Sequence, residues 1–77
     1  MKHILKEGDS GNQVKDIQHW LNDHGYSAGE EDGVFGEKTR EAVIQFQSSK
    51  KIVSDGVVGS QTQITMERME KENIGNY

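Results

Sequence analysis

Asp32-Gly33-Val34-Phe35-Gly36-Glu37-Lys38-Thr39 and Asp55-Gly56-Val57-Val58-Gly59-Ser60-Gln61-Thr62 are one block written twice, matching at Asp, Gly, Val, Gly and Thr with an offset of 23 residues. Agreement at five of eight positions marks an internal duplication of a loop that enters a helix. Asp-Gly reads as a turn in which the carboxylate accepts from nearby backbone N–H groups while glycine takes a strained or left-handed conformation. The second glycine then leads into a run with helical periodicity. A further Gly-x-x-Gly, Gly8-Asp9-Ser10-Gly11, stands ahead of both copies. Three glycine loops predict three helix starts, close after Gly11, Gly36 and Gly59.

Working outward from the loops, Val14, Ile17 and Leu21, with Trp20 beside them, recur at helical spacing. Gln13, Lys15, Asp16, Gln18 and His19 are assigned to the other faces of this helix, over residues 12–23. Gly25 supplies the left-handed residue that ends it. Thr39, Ala42, Val43 and Phe46 mark the buried stripe of a second helix over 37–49, with Ile44 on a neighbouring face. Thr62, Met66 and Met69 mark a third over 60–73, where Glu67 and Lys71, one turn apart, suit a surface ion pair. Gly75 stops that helix and residues 74–77 are expected to fray. Ile4-Leu5 and Ile52-Val53 read as extended runs that plug the ends of the core. Its centre is expected to be Val14, Ile17, Leu21, Val43, Phe46 and Met66. The fold class is all-α, a small three-helix bundle forming a single domain over 1–77 with its core over 4–73. Asn12 and Ser60 are expected to cap their helix starts, and Glu37 suits the dipole of the second helix. Gly36 is expected in a geometry closed to a β-branched residue.

Seventy-seven residues leave no room for a second core, and a 31% apolar content builds one modest core. A chain of this size buries roughly 60% of its unfolded surface. With no cysteine, disulfides and the usual zinc frameworks are excluded. Nine Lys and Arg against 13 Asp and Glu give a net charge of -4, and no basic run exceeds Lys50-Lys51. Nucleic acid is therefore a poor partner, because it is held by clustered positive charge. No stretch approaches the length of apolar residues that crosses a bilayer, and Met1 to Leu5 opens no secretory signal. The expectation is a chain that leaves its cell by lysis or a specialised route, or that is cut from a longer exported chain, and that otherwise stays in the cytoplasm.

Catalytic chemistry finds no constellation. His3, His19 and His24 are the only histidines; the last two are five apart, share no helix face, and read as solvent-exposed. Glu30-Glu31-Asp32 places carboxylates side by side in a loop, whereas glycoside hydrolysis needs two carboxyls opposed across a cleft. Gly-x-x-Gly without a following Lys-Ser/Thr is no phosphate-binding loop. The expectation is no enzyme, no cofactor and no metal.

The order and spacing of these blocks carry a resemblance. Leu5-x-x-Gly8-x-x-Gly11-x-x-Val14-x-x-Ile17-Gln18-x-x-Leu21-Asn22-x-x-Gly25-Tyr26, then Asp32-Gly33-x-Phe35-Gly36-x-x-Thr39-x-x-Ala42-Val43-x-x-Phe46-Gln47, then Asp55-Gly56-Val57-Val58-Gly59-x-x-Thr62 together resemble the first, widespread type of peptidoglycan-binding domain. That family is a helical module attached to cell-wall hydrolases. About four fifths of the chain is covered. The chain departs from the family pattern in having Asn12, Glu37 and Ser60 where proline is frequent, Lys51 where glycine usually follows the second helix, and Gln63 where an aromatic is common.

The resemblance implies a non-catalytic module that binds peptidoglycan, glycan or stem peptide, and targets a linked or partner wall hydrolase, with no membrane or nucleic-acid partner. The alternative is a protein-interaction or assembly module, phage- or spore-associated, that reuses the scaffold. The implied binding face is a polar groove around the central loop, with Tyr26, Asp32, Phe35, Gly36, Thr39, Val57 and Thr62 as candidate ligand contacts. Each has a structural alternative: Phe35 as a core plug, Asp32 as a turn former, Thr39 and Thr62 as first-turn residues bonded to backbone, Tyr26 as a cover for the end of the first helix.

Overall fold

The computed structural model describes residues 4–74. Three helices follow in order, α1 (Asn12–Asp23), α2 (Glu37–Ser49) and α3 (Ser60–Ile74). Among the described residues no strand is longer than an isolated bridge, so the molecule is a small all-α three-helix bundle. The core is Leu5, Val14, Leu21, Ala28, Phe35, Ala42, Val43, Phe46, Val58 and Met66. Phe46 is fully buried, and Trp20 and Tyr26 pack perpendicular to its ring at centroid distances of 5.2 and 5.5 Å. Trp20 also stacks on His24 at 3.8 Å and donates its indole N–H to Glu70 at 2.8 Å, which ties α1 to α3.

The two copies of the duplicated loop are joined by the segment ahead of α1. Leu5 and Val58 exchange both backbone bonds (3.1 and 2.8 Å). Gly8 donates to the Phe35 carbonyl (3.0 Å), Phe35 to Asp9 (2.9 Å), and Gly11 to Gly33 (2.8 Å). Phe35 and Val58 occupy equivalent positions in the two copies, and both point into the core. α1 and α2 close with the same device. Tyr26 N–H reaches the Leu21 carbonyl and Gly25 N–H that of Asn22; Ile52 N–H reaches Gln47 and Lys51 N–H reaches Ser48. This paired bonding needs a left-handed residue after the helix, supplied by Gly25 (φ 90°) in the first case and by Lys51 (φ 59°) in the second.

Several expectations are corrected. Gln18, assigned to an outer face, is 1% exposed, whereas Ile17, expected at the centre, is half-buried against the core. Of the two extended runs, the first reaches the core through Leu5 alone, while Ile4 and Val53 face solvent, so the second run is not a plug. Asn12 does not cap α1, because the capping position falls on Gly11 and no side chain bonds there. Gly36 has φ −106° and ψ −161°, extended backbone open to any residue, with open space where a Cβ would stand. His24 is half-buried under Trp20 rather than free in solvent. His3, the Glu67–Lys71 pair and the fraying of Gly75 to Tyr77 fall outside what is described.

Candidate functional site

Two buried glutamines organise the two copies of the loop. Gln18, on α1 between the fully buried Val14 and Leu21, sends its Nε2 to the Val34 carbonyl (2.9 Å), Thr39 Oγ1 (3.0 Å) and Asp32 Oδ1 (3.1 Å). Its Oε1 accepts from Gly33 N–H at 2.8 Å. Gln47, on α2, repeats the set in the other copy: Nε2 to the Val57 carbonyl (2.9 Å), Thr62 Oγ1 (3.0 Å) and Asp55 Oδ1 (3.2 Å), and Oε1 from Gly56 N–H (3.0 Å). Each amide reads a whole loop through one side chain. Burying it is tolerable because donor and acceptor are both used; no buried side-chain N or O among the described residues is left without a partner. The Asp-Gly turns are as the sequence predicts: Asp32 accepts from Val34 N–H (2.9 Å) and Asp55 from Val57 N–H (3.0 Å), with Gly33 at φ 77° and Gly56 at φ 75°.

A third amide, Asn22, seats the segment between α1 and the first copy. Its Oδ1 accepts from Ala28 N–H at 2.7 Å and its Nδ2 donates to the Gly29 carbonyl at 2.9 Å and to Glu31 at 3.2 Å. This segment stands opposite the start of α2, and between them opens a groove of about 720 Å³. Residues 28–30 line one side, the first turn of α2 from Gly36 to Thr39 the other, with Asp32 and Val34 between them and Gln18 beneath. That volume lies within the roughly 300–1,000 Å³ of ligand sites. Gly29, at φ 80°, lies under the Lys38 stem; a Cβ there would stand 3.2 Å from Lys38 Cδ.

The groove offers two kinds of polarity. α2 has no side-chain cap and its first intrahelical bond is Arg40 N–H to Gly36, so first-turn N–H groups, those of Glu37 and Lys38 among them, lack helical partners. Against these donors stand the carboxylates of Glu30, Asp32 and Glu37, with Lys38 as the one cation. The ion pairs among the described side chains are His19–Glu31 and Arg40–Glu7, so Glu30 and Glu37 are unpaired. The Val34 N–H, and then Gln18, hold the Asp32 carboxyl below the usual carboxylate range. Glu31 is likewise lowered, first by Asn22 and then by His19.

Of the residues singled out from sequence, Asp32, Gly36 and Thr39 line this groove. Thr39 is 2% exposed, its hydroxyl taken up by Gln18 and the Ala28 carbonyl (3.5 Å). Phe35 is 1% exposed and fills the core below the loop. Tyr26 packs on Phe46 and shares a hydrogen bond with Ser49 (2.8 Å). Val57 and Thr62 belong to the other copy, where Thr62 is buried on Gln47. The residues that sequence reasoning passed over are Gln18, Asn22, Val34, Glu37 and Lys38. A signal for Gln18 was present: it falls on the buried stripe, four residues after Val14 and three before Leu21. A second groove, of about 240 Å³, runs between α1 and α3 over Leu5, Ile17 and Met66, with Gln63 on its rim. Among the described residues no group of three or more His, Cys, Asp or Glu is placed to hold a metal ion, and no helix is long and apolar enough to cross a membrane.

Loops, clamps and groove together make a small helical module built on paired glycine loops. The chain belongs to the peptidoglycan binding domain family, which matches residues 10–66. It is 35% identical over 74 residues to a probable N-acetylmuramoyl-L-alanine amidase of Bacillus licheniformis, covering 94% of this chain and 21% of that protein. The crystal structure of the SleB N-terminal domain superposes with a TM-score of 0.85 at 30% identity, over 90% of this chain and 94% of that one. A fused Zn-dependent amidase/peptidase/peptidoglycan-binding domain-containing protein from Clostridium acetobutylicum gives a TM-score of 0.78 at 42% identity, over 86% of this chain and 29% of that one. The chain spans between 21% and 51% of the length of the curated relatives it matches.

Proposed function

We propose that this chain grips peptidoglycan in the groove at the start of α2 and thereby keeps a lytic enzyme, linked to it or acting beside it, on the insoluble polymer. The observation that carries the reading is that the groove is built by residues 28–39, inside the stretch matched by the family and containing the block most similar to it. Asp32, Gly36 and Thr39 are retained from the sequence reading, and Val34, Glu37 and Lys38 join them. Relatives named as an amidase and as a spore cortex-lytic enzyme contain a similar segment within a longer chain, which supports the targeting role. Tethering substitutes a high local concentration for tight binding.

The polarity of the groove favours stem peptide over glycan. Unpartnered N–H groups suit peptide carbonyls, and three carboxylates against one ammonium repel a free ligand carboxylate and attract the amino group of a diamino acid. Affinity is expected to be micromolar or weaker, because an open polar groove exchanges water contacts for similar ones. The test is co-sedimentation with purified peptidoglycan freed of teichoic acids, at moderate and high salt. The chain should sediment and release no soluble fragments. A folded chain that stays in the supernatant with walls of both common stem-peptide chemistries would overturn the reading in favour of a protein partner.

A further inference from the structure

We infer that Gln18 is the positioning residue of the groove, fixing the shape a ligand meets while itself buried beneath it; this rests on the groove being the peptidoglycan site. Gln18 is 1% exposed, so its own contribution to direct ligand contact is negligible. Its four bonds end on Asp32, Gly33, Val34 and Thr39, at 3.1, 2.8, 2.9 and 3.0 Å. Those ends lie in both the loop and the first turn of α2, so one amide sets the distance between them. It sits in mid-helix between Val14 and Leu21, both 0% exposed, which gives it a rigid mount. Its Nε2 has two hydrogens for three acceptors, so deleting it loosens all three at once.

The chain carries its own control. Gln47 makes the same four kinds of bond, at 3.2, 3.0, 2.9 and 3.0 Å, to Asp55, Gly56, Val57 and Thr62, none of which lines the groove. A purely structural role predicts equal consequences for the two glutamines. A positioning role predicts that stability falls for both and that binding falls for one.

The experiment compares Gln18→Met and Gln47→Met in the 77-residue chain, measuring melting temperature and co-sedimentation with purified peptidoglycan per folded molecule. Both variants should melt lower. Gln18→Met should bind about fivefold or more weakly per folded molecule, the equivalent of one or two lost polar contacts. Gln47→Met should bind as wild type does. Equal binding by the two variants, whether both retained or both lost, overturns the inference. Failure of the wild type to bind overturns the groove reading instead. Should Gln18→Met leave too little folded protein, Gln18→Glu and Gln47→Glu, which keep length and one acceptor oxygen, are compared in the same way with the same expected split.

Discussion

The first copy of the duplicated loop, Asp32 to Thr39, and the second, Asp55 to Thr62, share a turn, a glycine conformation and a glutamine clamp whose corresponding distances agree to within 0.2 Å. They differ in what precedes them. Eight residues (24–31) separate α1 from Asp32, whereas five (50–54) separate α2 from Asp55. The longer connection, seated by Asn22, supplies the wall at residues 28–30 that faces the start of α2. The two threonines register the difference: Thr39 donates across to Ala28 in that wall, while Thr62 donates back to Val57 in its own loop. Duplication provided two equivalent scaffolds, and connection length decides that the first presents a walled groove.

The comparison breaks most visibly in the core. Phe35→Ala should cost about 3–5 kcal/mol and Val58→Ala about 1–3 kcal/mol, since both are fully buried and the larger ring leaves the larger void. Denaturant melts of the two variants check the order, and a Phe35 variant as stable as the Val58 one would deny the ring its place in the core. Thr39→Val and Thr62→Val should each cost about 1 kcal/mol, since one hydrogen bond to the facing glutamine is lost while two acceptors remain for its two N–H hydrogens. Wall binding per folded molecule should weaken severalfold for Thr39→Val only.

The helix ends offer a smaller contrast. Lys51 holds the left-handed conformation that Gly25 holds at the end of α1, and a side chain there costs roughly 1 kcal/mol. Lys51→Gly should therefore raise stability by up to about 1 kcal/mol, part of the relief being offset by the freer unfolded chain. A thermal melt showing destabilisation would contradict that strain. The smallest effect is in pH. The Asp32 carboxyl is lowered in the folded state, so its contribution is present above the unfolded pKa and lost as pH falls through the folded value. Stability should decline below about pH 4, and Asp32→Asn should remove part of that decline while Glu31, also lowered, sustains the rest. A pH–stability curve unchanged by Asp32→Asn would contradict this.

Helix starts were legible because glycine pairs and the apolar stripes after them report on backbone geometry and burial, which are local. Phe35 as a core plug and Asp32 as a turn former were among the readings that the residues themselves offered. The clamps were not legible. Gln18 and Gln47 are polar residues on buried stripes, and a rule that sends polar side chains outward misplaces both. Their correspondence is also hidden, because Gln18 lies 14 residues before Asp32 and Gln47 only 8 before Asp55. Gly36 was misjudged for a similar reason: of the two glycines in each block it is the first, Gly33 or Gly56, that takes positive φ. The groove wall at 28–30 has no periodicity, and it depends on the Asn22 bonds, which join residues six and seven positions apart.

The most direct measurement is an amide chemical-shift map of the wild-type chain titrated with a soluble muropeptide carrying a free diamino-acid side chain. Shifts should cluster from Gly29 to Thr39, with a saturable response, and leave Asp55 to Thr62 near their starting positions. Shifts centred on the second copy, or spread evenly over both, would contradict the assignment of binding to the walled groove.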